Sequence, residues 1–267
     1  MAWPVRLVPI LLLLLSAPIG ATVLGDGDIS ERGTPRELLP IGVVTGGQGV
    51  GYATGFLISD CEVLTAKHAV GQVPSALGRR LRFAQAVRGG RRSSGTVIAQ
   101  GEFDLASGSG DAELEGDWLL LRLDRCIGRE LGHATLSATT FYRSAHWAPG
   151  SPVIGSAGFP IGRPWRNGIT RDPRCRIRAW RLRQLFHDCV GGPGSSGSPL
   201  FVIGQGGALT VFAMQVAGPT PAAIRPGFLG NANSAIAVDG IMPQVAPLLT
   251  HAVKAAFRQP GRSRQSR

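Results

Sequence analysis

The stretch "CVGGPGSSGSPLF", from Cys189 to Phe201, holds three serines among glycines and prolines and then turns apolar. A serine hydroxyl becomes nucleophilic when three conditions meet. A base must take its proton, a carboxylate must orient that base, and backbone N–H groups must receive the oxyanion. Glycines at 191, 192, 194 and 197 let the backbone turn its amides inward. The base candidate is His68, where the apolar "VLTAKHAV" ends. The carboxylate candidate is Asp117, directly before the apolar run of "GDWLLLRL". Taken singly, each has an ordinary structural explanation: a strand-end histidine, a turn aspartate, a Gly/Ser loop. An elbow of the form Gly-x-Ser-x-Gly does not fit, because Ser198 stands where its second glycine belongs.

The elements that must position these groups are short. Gly 38 and Pro 19 break the chain into brief apolar runs, and turn signals recur about every ten residues. Candidate strands are "IGVVTG", "YATGFLIS", "EVLTAK", "LRFAQAVR", "GTVIAQG" and "DWLLLRL". After a connection over 136–150 come "SPVIGSAGF", "CRIRAWRLRQLFHDC", "SPLFVI", "ALTVFAMQVAG" and "NSAIAV". Two strand-rich halves of similar size result, which points to barrels or sandwiches. "DGIMPQVAPLLTHAVKAAF" has helical spacing and is expected to lie on the body as a terminal helix. The end, "RQPGRSRQSR", reads as a basic tail.

At the N-terminus, Arg6 precedes the apolar run Leu7 to Leu15, followed by small residues at Ser16, Ala17, Gly20 and Ala21. This is a secretory signal in three parts, too short to span a bilayer, with cleavage expected after Ala21 or Ala17. Residues 22–37 read as a leader or short pro-segment, with the domain beginning near Leu38. Export makes Cys61, Cys126, Cys175 and Cys189 an even set of disulfide candidates, with three connectivities open. No Cys-x-x-Cys spacing exists and the five histidines are scattered, so a metal site has no support. Net charge is +11, with arginines clustered over 79–92 and 163–183. These runs carry few aromatics, and nucleic-acid binding is not expected.

Together, "TGFLIS…VLTAKHAV", "DWLLLRL" and "GSSGSP" resemble the chymotrypsin-like (trypsin-fold) serine endopeptidases, in particular their bacterial glutamyl-endopeptidase-like branch. The resemblance runs from about Ile41 to Val238, with weaker support from "GFP" at 158–160 and from "NSAIAV". It implies an all-β chain of two six-stranded antiparallel barrels, about 38–135 and 148–240, with a C-terminal helix. The cleft between the barrels would hold His68 and Asp117 from the first and Ser196 from the second. Gly194 and Ser196 would form the oxyanion hole, and Val190 and Gln215 would line the primary substrate pocket. The implied activity is hydrolysis of peptide bonds by a secreted or periplasmic monomer, acting on protein or peptide substrates without metal or organic cofactor. The alternative is a catalytically silent relative serving as a binding module, which would be expected to lack a member of the triad.

Three positions depart from the family's habit. Ser195 replaces the Asp or Asn before the nucleophile, so glycines and Pro193 must set the loop. Lys67 replaces the Ala before the base; it is expected to point to solvent, where its charge would lower the His68 pKa. Gln215 stands where glutamyl-specific relatives carry a histidine, so glutamate specificity is not implied. Within the implied barrels, pairings Cys61–Cys126 and Cys175–Cys189 each stay inside one barrel.

Overall fold

The structure, a computed structural model, describes residues 34–46, 51–71, 75–85, 89–103, 114–138, 154–161, 169–181, 183–218 and 232–250. The expected signal over 1–21, most of the leader and the tail after 250 lie outside them.

Six strands close into the first barrel, in the order β1-β2-β3-β6-β5-β4. They are β1 (Ile41–Gly46), β2 (Tyr52–Leu57), β3 (Glu62–Thr65), β4 (Arg80–Ala84), β5 (Arg92–Gln100) and β6 (Leu119–Leu123). All pairs are antiparallel. β6 shows why the run "LLLRL" is so apolar. Leu119, Leu121 and Leu123 fill the barrel with Val44, Leu57, Phe83 and Val97. The alternate residue, Leu120, joins Phe56, Leu64, Trp118 and Phe159 in a separate core. A strand buried on both faces loses the polar alternation of a half-buried one.

After a short helix α1 (Gly128–Leu131), the second sheet comprises β7 (Thr135–Leu136), β8 (Ile154–Gly158), β9 (Thr170–Cys175), β10 (Ile177–Arg181), β11 (Gln184–His187), β12 (Pro199–Ile203), β13 (Leu209–Ala217) and β14 (Asn233–Ala237). Its order is β10-β11-β14-β13-β12-β8-β9, with β7 pairing parallel to β13. β9 and β10 sit at opposite ends of that order, yet only Arg176 separates them. The sheet must therefore curl back on itself. Counting β9–β10 as one bent strand gives a six-stranded barrel left unclosed at that seam. The one parallel pair among the described residues and the start of β9, "TRDPR", have no counterpart in the candidate strands. Strand β9 carries too few apolar residues to show a strand pattern.

Within the described residues the terminal helix breaks after Val245; the last part of its expected span, 251–257, lies outside them. Helix α2 (Val238–Val245) is followed by a 3-10 turn over Ala246–Leu248. Pro247 offers no N–H to continue the ladder. Ile241, Met242 and Val245 pack on Met214 and Ile236 of the second sheet. The chain then docks on the first barrel: the Thr250 N–H donates to buried Glu62 Oε1 at 3.3 Å, and Arg122 Nε donates to the same oxygen at 3.0 Å.

Disulfides join Cys61 to Cys126 and Cys175 to Cys189, spanning 65 and 14 residues. The chain-entropy relation gives about 4 kcal/mol for the longer loop and about 3 kcal/mol for the shorter. Replacing Cys61 and Cys126 by Ala is therefore expected to lower the denaturant midpoint more than replacing Cys175 and Cys189. Equilibrium unfolding of both double variants measures the difference.

Candidate active site

Asp117 is held by local backbone chemistry. Its N–H donates to Leu114 O at 3.1 Å, and the Trp118 N–H donates to Gly116 O at 2.8 Å. Gly116 is obligatory, because a Cβ there would lie 1.8 Å from Glu102 O. The turn seats the Asp117 carboxylate at 0% exposure against the 3-10 turn Lys67–Val70, which follows β3. Asp117 Oδ1 accepts the His68 backbone N–H at 2.9 Å, and Oδ2 lies 2.6 Å from His68 Nδ1. Burial pulls the imidazole pKa down, but the hydrogen bond and the charge of Asp117 outweigh it. The net displacement from 6.5 is upward.

Across the interface between the sheets, His68 Nε2 lies 2.7 Å from Ser196 Oγ. The His68 side chain keeps 28% of its surface exposed, so the relay opens to solvent on one side. Ser195 and Ser198 are buried, and Ser195 Oγ accepts the Gly192 N–H at 3.1 Å. Of the three serines, Ser196 is the one in contact with His68.

The loop's amides divide into two groups. Those of Gly192, Ser195, Gly197 and Ser198 are engaged, with Ser195 to Gly192 O, Gly197 to Gln215 O and Ser198 to Ser195 O. The Gly194 and Ser196 N–H groups have no partner among the described residues. The Pro193 carbonyl accepts the Ile161 N–H at 2.6 Å, which turns the Gly194 N–H of the same trans peptide the opposite way. Gly194 has φ +89 and Gly197 φ +85, conformations that L side chains rarely adopt. A Cβ on Gly197 would in addition lie 2.0 Å from Thr54 O.

Thr54, on β2, was not singled out in the sequence, yet it joins the two sheets at this loop. Its N–H donates to Ser196 O at 2.9 Å, and its hydroxyl donates to Gly194 O at 2.9 Å. The same hydroxyl accepts the Phe159 N–H at 3.0 Å. Thr54 opens the stretch "TGFLIS" that carries the resemblance, but its bonds to partners more than a hundred residues away are not visible in that stretch.

Lys67 corrects the expectation of a solvent-facing cation. It is 3% exposed, and Nζ donates to the carbonyls of Gly101 and Phe103 at 3.3 and 2.9 Å. Two directed carbonyls replace water for the ammonium, and it anchors the strand end near Asp117. The expected lowering of the His68 pKa is likewise reversed, because Asp117 dominates its surroundings.

Val190 is half-buried, and its N–H donates to the buried Asp172 Oδ2 at 2.9 Å. Gln215 is buried on β13, and its Nε2 lies 2.6 Å from where a Cβ of Gly191 would stand. The structure thus places Gln215 beside the residue that follows Val190.

The family model for a trypsin-like peptidase domain matches residues 53–209. The chain belongs to the trypsin-like peptidase family. It is accordingly a hydrolase of the serine endopeptidase class. Among solved structures it is similar to a Glu endopeptidase in complex with MPD, at 15% identity and TM-score 0.55, covering 82% of this chain and 97% of that one. It is also similar to the thermostable serine protease AL20 from an extremophilic microorganism, at 18% identity and TM-score 0.52, covering 78% and 96%. These likenesses establish the shared two-barrel fold. No curated protein matches the sequence.

For this trypsin-like peptidase, Thr54→Val removes the hydroxyl that bridges Gly194 and Phe159. A buried N–H or C=O left without its partner costs about 1–3 kcal/mol. The expected result is a kcat about 10- to 100-fold lower, a nearly unchanged KM, and recovery of most activity in Thr54→Ser. Steady-state kinetics on one peptide substrate reads all three.

Proposed function

We propose that the chain is a secreted serine endopeptidase that cleaves protein or peptide substrates through a Ser196–His68–Asp117 triad and an acyl-enzyme intermediate. The observation that carries this reading is the unbroken relay from Asp117 Oδ2 to His68 Nδ1, and from His68 Nε2 to Ser196 Oγ, at 2.6 and 2.7 Å.

With Nδ1 donating to Asp117, the neutral imidazole presents the Nε2 lone pair to the Ser196 hydroxyl. As Oγ attacks the scissile carbonyl, Nε2 takes its proton. The buried carboxylate stabilises the resulting imidazolium and holds its orientation. The unengaged amides of Gly194 and Ser196 are the donors for the developing oxyanion. His68 then returns the proton to the leaving amine, leaving Ser196 acylated. A water activated by the same imidazole releases the second product. The residues required are all supplied by one chain, so the protein is taken to act as a monomer. The paired cysteines suit an oxidising compartment, in keeping with the N-terminal signal.

Two measurements test the reading. Ser196→Ala should abolish labelling by a sulfonyl fluoride or fluorophosphonate and lower turnover by several orders of magnitude, whereas Ser195→Ala and Ser198→Ala should still label. Robust turnover in Ser196→Ala would sink the triad assignment.

The second measurement is the pH profile. Protonated His68 cannot accept the Ser196 proton, and its pKa is raised, so protonation sets in above the ordinary 6.5. Activity should fall on acidification with a midpoint above 6.5, and Asp117→Asn should move that midpoint downward. A wild-type midpoint at or below 6.5 would count against His68 as the base held by Asp117.

A further inference from the structure

The interior of the second sheet is apolar where Leu185, Ala213, Ala235 and Ala237 meet. Towards one end of the same strands the same face turns polar. His187 pairs directly with Asn233, while Leu185 and Gln215 both pair with Ala235, two residues along from Asn233. Side chains at directly paired and i+2 positions share a face, so His187, Asn233 and Gln215 stand together. This end lies against the nucleophile loop. A Cβ on Gly191 would lie 2.6 Å from Gln215 Nε2 and 3.3 Å from Asn233 Nδ2. Gln215 is also tied to the loop by its backbone, with its N–H donating to Ser198 O and its carbonyl accepting the Gly197 N–H.

Among the described residues, three polar atoms of this cluster are buried without a hydrogen-bond partner: Gln215 Oε1 and both ring nitrogens of His187. His187 is 0% exposed. Asn233, in contrast, has an engaged amide, donating from Nδ2 to Cys189 O at 2.7 Å. Buried polar atoms are normally paired, and orphans on one face beneath the Ser196 loop call for a guest that pairs Gln215 Oε1 and one ring nitrogen of His187.

Resting on the protease reading above, we infer that Gln215 and His187 recognise an uncharged carboxamide, that of glutamine or asparagine, on the substrate residue that supplies the scissile carbonyl. The donor and acceptor inventory selects this class. A carboxamide N–H can donate to Gln215 Oε1 while its oxygen accepts from the N–H of a neutral imidazole. If the Gln215 amide is turned over, the guest amide turns with it and the pairing is kept. A carboxylate offers acceptors only: it would set its charge against Gln215 Oε1 or, with that amide turned, be buried as an anion against two neutral donors. An ammonium or guanidinium offers donors only, and would leave the His187 N–H unpaired. An aliphatic side chain would leave all three orphans in place.

The surroundings support neutrality. Burial pushes the His187 pKa down to about 3, so the ring is uncharged at neutral pH. The adjoining carboxylate of Asp172 is occupied, accepting the N–H groups of Arg174 and Val190.

The test uses the full protein and peptides identical except for Gln, Asn, Glu, Lys or Leu at the acyl-side position. Active sites are counted by fluorophosphonate labelling. The expected result is a kcat/KM for the Gln or Asn peptide at least about tenfold above Glu, Lys and Leu, since a site built to hydrogen-bond a side chain rejects analogues that lack the group. Gln215→Met should lower the Gln-over-Leu ratio by about tenfold, a ratio that does not depend on the fraction folded. If that variant does not fold, the wild-type ranking decides alone. A ranking led by Glu, Lys or Leu, or labelling without cleavage of any peptide, overturns the inference and leaves the nucleophile assignment standing. Neither labelling nor cleavage overturns both.

Discussion

The candidate site depends on one junction, the seam where Thr54 of the first barrel grips the loop of Ser196 that precedes β12. His68 and Asp117 belong to one sheet and Ser196 to the other, so their separation of 2.7 Å across the seam is only as well defined as the packing between barrels. Apolar contact alone fixes such a distance loosely, because side chains can slide at little cost. The Thr54 N–H and hydroxyl, bonded to Ser196 O and Gly194 O, convert the contact into a register. The absence of a Cβ at Gly197 lets the two backbones come close enough for these bonds to form.

The buried charged groups follow one rule around this seam. Asp117, Glu62 and Lys67 are all sequestered, and each has directed partners: the backbone and ring of His68, Arg122 with Thr250, and two carbonyls. Removing such a group from water is tolerable only with partners of this kind. The consequence is positional precision, since moving any of these charges off its partners would leave it buried and uncompensated. Glu62 ties the end of the chain to the first barrel, and Lys67 ties the turn bearing His68 to the segment at Gly101 and Phe103.

Much of this was legible in the sequence where chemistry and local pattern coincide. The strands "IGVVTG", "SPLFVI" and "NSAIAV" were bounded to within a residue, because each is an apolar run closed by turn residues. His68, Asp117 and Ser196 stood out because each sits where a buried strand meets a loop. What escaped was set by tertiary contact. Lys67 looks like a surface residue until two carbonyls are brought to it. The strand "TRDPR" has no apolar signature, and only pairing with β8 makes it one. Neither Thr54 nor the grouping of His187 with Asn233 can be read without strand register, which depends on residues far along the chain.

The inward turn of Lys67 has a practical chemical side. The sequence contains two lysines, Lys67 and Lys254, and Lys67 is the one within the described residues. Its ammonium is enclosed, so this part of the surface is cationic through guanidinium groups alone. Amine-directed chemistry such as succinimide-ester coupling, aldehyde fixation or reductive methylation has no side-chain target there. Attachment to a support through amines would leave the barrels unmodified, and the cleft between them free of adducts.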